Sequence, residues 1–184
     1  MIKEEIMKKT LLIIGVMALL QSIPSVVSAD TVTGTLGIKL TIIKGCYIND
    51  GTSPGGLSNL GTVDFGTVPT LNNRLTKAYS STSGGTLNLY CSAGTAYSIG
   101  MDNGAHASGA QRRLAGGSTE FVTYNLFKDS NYALAWGASG ADALSGTATT
   151  ISTAIPLTIY TEVPAQATPS VSAYNDTVNV TVTW

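Results

Sequence analysis

The sequence is poor in charged residues and in histidine, and these shortages exclude several classes of function. Only 11% of its 184 residues are charged, ten basic residues stand against eleven acidic ones, and there is one histidine. No long run of lysine or arginine forms the positive surface that binds nucleic-acid phosphates. We therefore expect no nucleic-acid partner.

The few ionisable side chains also lack the pattern of an enzyme. Two cysteines and one histidine cannot supply the four ligands that a structural zinc site usually takes. His106 lies among small residues, where a solvated loop side chain is expected rather than a general base. The acidic residues are scattered, and no glycine-rich phosphate loop precedes a helix. We expect no enzyme activity, no cofactor and no metal, with a hydrolase as a distant alternative.

Other residues that could bind ligands are expected to be structural. Arg112 and Arg113 could hold an anion, but a solvated turn is the more ordinary role for such a pair. A carbohydrate-binding module would need a cluster of exposed aromatic residues, which the sequence does not locate. Four tyrosines fall within predicted strands, where packing in the core or on a sheet face is expected instead. They are Tyr90, Tyr97, Tyr124 and Tyr160.

Long apolar runs are missing, apart from a short one near the N-terminus. Two lysines at 8–9 precede an apolar run at 11–20, and small residues follow at 27–29. The run is shorter than the roughly 18 residues that a membrane-spanning helix needs. We predict a signal peptide at 1–29, cleaved before Asp30, with export and no membrane insertion. The alternative is an uncleaved membrane anchor.

Cysteine is scarce as well, but the two that are present suit an exported chain. Disulfides form and persist in oxidising compartments, and two cysteines in such a protein most simply make one bridge. We therefore predict a disulfide between Cys46 and Cys91.

Helical periodicity is absent, and glycine, serine, threonine and asparagine are abundant, which favours an all-β fold. Asp50-Gly51 and Asn103-Gly104 are dipeptides typical of tight turns. Several short strands with frequent turns predict a sandwich or barrel. The strands are predicted near Thr62–Val68, Leu75–Ser80, Thr86–Ser92, Ala96–Met101, Val122–Lys128, Ile155–Glu162 and Asp176–Trp184.

Two alternating segments lie towards the two ends of the predicted mature chain. Residues 31–44 carry apolar side chains at most even positions and mainly polar or small ones at odd positions, as a strand with one buried face does. Residues 176–184 alternate similarly, and no later strand in sequence order covers their edge, which invites pairing with another chain. The residues alone leave open whether 31–44 docks in its own sheet or in a neighbour's. The apolar positions are Leu36, Ile38, Leu40 and Ile42, and Val178, Val180, Val182 and Trp184.

Seven short features follow one another along the predicted mature chain. They are Val32-Thr33-Gly34 with the run to Gly45-Cys46, Asp64-Phe65-Gly66, Leu89-Tyr90-Cys91, Gln111-Arg112-Arg113-Leu114, Tyr124-Asn125-Leu126-Phe127-Lys128-Asp129, Trp136-Gly137, and Ala173-Tyr174-Asn175-Asp176-Thr177. In this order they resemble the spore coat protein U domain family, which includes subunits of archaic, Csu-type chaperone–usher pili. Phe127 departs from the tyrosine found there in the family.

The resemblance implies an incomplete immunoglobulin-like sandwich that lacks its last strand and is completed by donor-strand exchange. It implies a donor-strand extension at 30–45 and a pilin domain at 46–184. The apolar residues of 31–44 would be the donor strand, and those of 176–184 would line the acceptor groove and form the edge read by a chaperone. The implied partners are identical or related pilin subunits, a periplasmic chaperone and an outer-membrane usher. The implied product is an extracellular pilus that supports adhesion and biofilm formation.

A second hypothesis keeps the chain as a self-sufficient secreted coat protein of a spore or cell, without strand exchange. The opening segment would then be an ordinary internal strand, and the chain would be a stable monomer. A donor segment joined to one short domain fits a repeating shaft subunit better than a tip adhesin, which would be expected to carry a receptor-binding domain.

The predicted cleavage site can be tested directly. N-terminal sequencing of the exported protein is expected to return Asp30 as the first residue. Replacing Ala29 with tyrosine should block cleavage, because signal peptidase requires small residues before the cut. A native chain that keeps residues 1–29 and stays membrane-bound would contradict the prediction.

Overall fold

The computed structural model describes residues 30–49, 59–80, 87–117, 119–150 and 153–184. Nearly all regular structure in this part of the chain is β-strand, so the predicted all-β class is confirmed. The strands are β1 (Cys46–Asn49), β2 (Leu75–Tyr79), β3 (Asn88–Cys91), β4 (Ala96–Met101), β5 (Arg112–Gly116), β6 (Glu120–Phe127), β7 (Leu144–Thr147), β8 (Ile155–Pro156), β9 (Ile159–Val163) and β10 (Val180–Thr183), with one 3-10 helix at Gly140–Asp142.

The strands form three antiparallel sheets, and none of them closes on itself within the described residues. The first sheet has the order β1-β3-β8, the second β10-β4-β7 and the third β2-β9-β6-β5. Strand β10 therefore pairs with a strand from the middle of the chain. Each sheet keeps two outer edges among the described residues.

Inward-facing side chains of all three sheets meet in one hydrophobic core. Strand β6 shows the period of two most clearly, because Val122, Tyr124 and Leu126 are buried while the residues between them are more exposed. Trp136 enters the core from the loop after β6 and is 1% exposed. Its indole N–H donates to the carbonyl of Ile99 at 2.9 Å, so the ring is buried with its polar atom paired.

The opening segment behaves differently from the rest of the chain. Residues 30–40 belong to a separate unit from residues 41–184. No residue from 30 to 45 lies in a strand, and the side chains at 30–44 are all exposed. Residues 31–44 thus have the alternation of a strand but are not part of a sheet.

Six of the seven predicted strand regions contain strands, although the one at 155–162 is divided between β8 and β9 of two different sheets. The strand predicted at 62–68 is wrong. Residues 59–70 contain no strand. The side chains of Asn59 and Asp64 accept hydrogen bonds from the backbone N–H groups two residues ahead, at 2.8 and 2.7 Å. Those turns end on Gly61 and Gly66, whose φ angles are positive. Local side-chain bonds have taken the place of a ladder here.

Strand β5 was not predicted, because its two arginines indicated a solvated turn. Instead it pairs along its whole length with β6. The predicted turn at Asn103-Gly104 agrees with the structure, since Gly104 has a φ of 82°. The turn predicted at Asp50-Gly51 lies outside the described residues.

The expected disulfide joins two neighbouring strands. Cys46 and Cys91 lie directly opposite each other in the β1–β3 register and are bonded. Their separation of 45 residues closes a long loop, for which the chain-entropy estimate is about 4 kcal/mol of stabilisation.

Removing this bond should therefore destabilise the fold strongly. Replacing both Cys46 and Cys91 with alanine is expected to lower the free energy of unfolding by about 4 kcal/mol. Denaturant unfolding with and without a reducing agent measures this. The reducing agent should affect only the native chain, and equal stability of native and substituted chains would contradict the estimate.

Candidate functional site

The most unusual surface of the molecule is the opening segment. Four of its branched apolar side chains alternate as strand residues do, yet they are between 78% and 90% exposed. Burying four such side chains would contribute roughly 6–12 kcal/mol. An exposed apolar row of this kind usually marks a surface that another element covers. The four are Leu36, Ile38, Leu40 and Ile42.

Three strands at the outside of their sheets offer unprotected edges. Among the described residues, β10 and β7 each pair only with β4, and β1 pairs only with β3. None of the three contains lysine, arginine or proline, which usually discourage pairing at an edge. By contrast, edge strand β2 carries Lys77 and edge strand β8 carries Pro156.

The side chain of Gln166 pairs with the backbone of β6 where strand β9 does not. Strand β9 ends at Val163, and beyond it the amide of Gln166 takes the place of a strand beside β6. Its carbonyl oxygen accepts from the N–H of Thr123 at 2.9 Å, and its N–H donates to the carbonyl of Thr123 at 3.0 Å. The backbone of β6 is thus paired past the end of its neighbour.

The apolar face of the terminal segment is only half covered. Val178, Val180 and Val182 are partly buried against the core, whereas Ile99 and Met101 on the paired strand β4 are fully buried. Trp184 is 56% exposed. This pattern is compatible with the predicted acceptor groove along Val178, Val180, Val182 and Trp184, which stays a prediction.

The residues just before β10 are held by a carboxylate. Asp102 follows β4, and its side chain accepts from the backbone N–H and the side-chain amide of Asn179 at 2.9 and 2.7 Å. It also accepts from the N–H of Gly104 at 2.9 Å. Burial opposes ionisation of Asp102, but these hydrogen bonds and the charge of Arg112 hold its pKa below the ordinary value of 3.8.

Arg112 is the clearest error of the sequence-based interpretation. It was expected in a solvated turn, but it is only 7% exposed. Its guanidinium donates to the carbonyls of Asp102, Met101 and Trp136, each at 2.8 Å. Burial lowers the pKa of this group. The arginine joins the end of β4 to the loop that carries Trp136, and it is not presented to an anion in solvent.

The tyrosines lie in or on the sheets, as expected. Tyr90 on β3 stacks on Tyr47 of β1 with ring centroids 5.3 Å apart. Tyr160 lies edge-on to Tyr132, whose ring face is covered by the guanidinium of Arg74 at 4.5 Å. These rings therefore pack against one another or against the guanidinium of Arg74.

Two further searches concern the described residues only. No group of three or more histidine, cysteine, aspartate or glutamate side chains in that part of the chain is arranged to hold a metal ion. None of its helices has the length and apolar character needed to cross a membrane.

Comparison with known proteins adds two matches. Residues 32–181 match the Spore Coat Protein U domain. Among solved structures, the chain is similar to one in the chaperone–tip adhesion subunit pre-assembly complex of the archaic chaperone–usher Csu pili of Acinetobacter baumannii, with a TM-score of 0.47 and 25% identity. That alignment covers 78% of this chain and 40% of the other, so this chain spans less than half of that one. No curated protein matches.

The role of Asp102 predicts acid sensitivity. Because its pKa in the folded state lies below that in the unfolded state, the ionised carboxylate stabilises the fold above about pH 4, and this stabilisation is lost as the pH falls through the folded pKa. Asp102→Asn should lower stability above pH 4 and reduce its loss at lower pH. Urea unfolding across this range measures both effects.

Asn179→Ala is the matched control, since it removes a donor to the same carboxylate. It should also weaken the acid dependence, though less than Asp102→Asn does. Parallel stability curves for the native chain and Asp102→Asn would contradict the prediction.

Proposed function

The chain belongs to the Spore Coat Protein U domain family, and from this we propose that it is a structural subunit of a chaperone–usher pilus. It polymerises by inserting its donor segment, residues 31–44, into the groove of a neighbouring subunit. The mature chain divides into a donor extension at 30–45 and an incomplete immunoglobulin-like domain at 46–184. Its role is structural, not catalytic.

One observation carries this proposal: the chain has a strand-like segment without a sheet and an edge without a strand. The alternating apolar residues of 31–44 are exposed, and strands β1 and β10 each lack a second partner strand among the described residues. An added strand satisfies the backbone groups of such an edge, while its alternate side chains fill the cleft.

The physical chemistry of the two elements is complementary. Leu36, Ile38, Leu40 and Ile42 would fill the groove beside Val178, Val180, Val182 and Trp184. Because side chains alternate with a period of two, a slip of one residue would turn threonines and Lys39 into the groove. The apolar pattern therefore sets the register, and the main-chain hydrogen bonds supply sequence-independent pairing.

The resemblance to subunits of chaperone–usher pili implies the partners. A subunit with an open apolar groove needs the groove covered before assembly, and a periplasmic chaperone that lends a strand does this. An outer-membrane usher then receives the subunit, and identical or related subunits replace the chaperone strand. The product is a surface fibre outside the cell, where it supports adhesion and biofilm formation.

A rearranged chain tests the proposal. The first protein is the mature chain from Asp30, and the second begins at Gly45 and carries residues 32–44 after Trp184 through a flexible linker. The first should form ladders or aggregates, and the second should be a monodisperse monomer that melts much higher, because its groove is filled from within. Size exclusion and thermal melting measure this. A stable monomer from the first protein, with no gain in the second, would support the self-sufficient coat protein.

A single substitution in the mature chain gives a sharper prediction. Ile38→Asp places a charge on the apolar face of the donor segment, and it should abolish polymer ladders because an unpaired carboxylate cannot enter the groove. Thr35→Asp adds the same charge to the polar face and should leave ladders nearly unchanged. Equal loss in the two variants would argue against an alternating donor strand.

A further inference from the structure

The chain reaches its open edge through a short link between two sheets. Asn175 exchanges two backbone hydrogen bonds of 2.9 Å with Ala115 on β5. Thr177 then accepts from the N–H of Ala105 at 3.0 Å. The carbonyl of Asn179 accepts from the N–H of Asp102 at 3.1 Å, and β10 continues beside β4. The direction of β10 therefore depends on how residues 175–179 are held.

A buried carboxylate occupies this link. The side chain of Asp176 is 1% exposed. One oxygen accepts from the hydroxyl of Tyr124 on β6 at 2.7 Å. The other accepts from the backbone N–H of His106 at 3.1 Å and lies 2.9 Å from its Nδ1. Asp176 thus ties the link to β6 of the third sheet and to the loop after β4.

The surrounding loop is shaped around this carboxylate. Gly104 has a φ of 82°, and a Cβ there would lie 2.0 Å from Asp176 Oδ2 and 3.1 Å from the hydroxyl of Tyr124. A side chain at position 104 would displace Asp176. Burial, together with the hydrogen bond to Asp176 and its charge, raises the pKa of Tyr124, so its hydroxyl stays a donor.

A second carboxylate and an arginine complete the arrangement. Asp102 holds both the N–H and the side-chain amide of Asn179, the last residue before β10. Arg112 donates to the carbonyl of Asp102 and so fixes the backbone that carries this carboxylate. We use the name polar corner for Asp102, His106, Arg112, Tyr124 and Asp176.

We propose that the polar corner positions the edge of β10 to receive a strand from a second copy of this chain, with Asp176 as its central positioning residue. The inference rests on the proposed function and adds the residues that prepare the acceptor. When a strand pairs with an edge, the backbone of that edge must become ordered, and this ordering costs conformational entropy. An edge that is already held in place lowers that cost and speeds uptake.

The polar corner is suited to this task because its bonds are directional. Apolar contacts alone allow a strand to shift along its neighbour, whereas hydrogen bonds to a buried carboxylate define one position. The link carries these bonds at both ends, at Asp176 and at Asn179, directly before the first residue of β10. These bonds therefore order the edge of β10 before a donor strand binds.

The experiment uses the full mature chain with Ile38→Asp, which blocks its own donor segment. The probe is a fluorescent peptide with the sequence of residues 31–44. Two quantities are measured for each variant: the rate of peptide uptake, and the melting temperature of the peptide-filled protein. Glu120→Gln is the matched control, since Glu120 is a carboxylate that accepts from the hydroxyl of Tyr174 and the N–H of Ser170, just before the link, and has no bond to residues 175–179 among those described.

Asp176→Asn should slow uptake about tenfold or more, a factor expected for weakened hydrogen bonds to a charged group. Glu120→Gln should leave uptake within about twofold. The filled forms of both variants should melt within a few degrees of each other, because a bound strand holds the edge in either case. Tyr124→Phe, which removes one donor and keeps the ring, should slow uptake less than Asp176→Asn and serves if the latter fails to fold.

Each outcome decides between the two proposals. If the Ile38→Asp chain with an unsubstituted polar corner takes up no peptide, both the proposed function and the proposed role of the polar corner are overturned. If uptake occurs but Asp176→Asn and Tyr124→Phe match the unsubstituted rate or the Glu120→Gln rate, only the polar corner is overturned. The same holds if the melting temperature of the filled protein falls in proportion to the uptake rate, since Asp176 would then act on stability alone.

Discussion

A β-strand has hydrogen-bonding groups on both sides, and among the residues that the structure describes, strand β10 has a neighbouring strand on only one of them. The rest of the molecule is built around this imbalance. Its core draws side chains from three sheets, yet the apolar face that leads into β10 stays half covered. At the other end of the chain, residues 31–44 have the side-chain alternation of a strand and no sheet. Each element lacks what the other could supply.

Some outer edges carry residues that discourage pairing, and the edge of β10 does not. Lys77 and Pro156 occupy two other outer strands, and the amide of Gln166 stands in for a missing strand beside β6. Natural sheets usually protect their edges in such ways. Strand β10 instead carries valine and threonine alone, while polar bonds hold the segment before it. The edge is thus both unprotected and well ordered.

Sequence alone could predict what depends on local pattern. The alternation of β6, the bounds of β4, the disulfide and the all-β class follow from residue types that repeat or pair simply. It could not predict contacts between residues far apart in the chain. Arg112 appears solvated in sequence because its three carbonyl acceptors come from two other segments, and Asp176 resembles a turn residue until Tyr124 and His106 are brought to it. The false strand at 62–68 has the opposite cause, since Asn59 and Asp64 bond locally where hydrophobicity predicted a ladder.

The placement of the disulfide has a mechanical consequence. In the proposed fibre, joined through residues 31–44, tension would enter the folded domain at Gly45 and Cys46. Strand β1 has only four residues, and hydrogen bonds alone would let it peel away from the sheet. The bond from Cys46 to Cys91 carries the pull covalently into β3, the central strand of that sheet, and Gly45 is held to Ser92 beside it. Force would therefore bypass the hydrogen bonds of β1 and enter β3, which is paired on both sides.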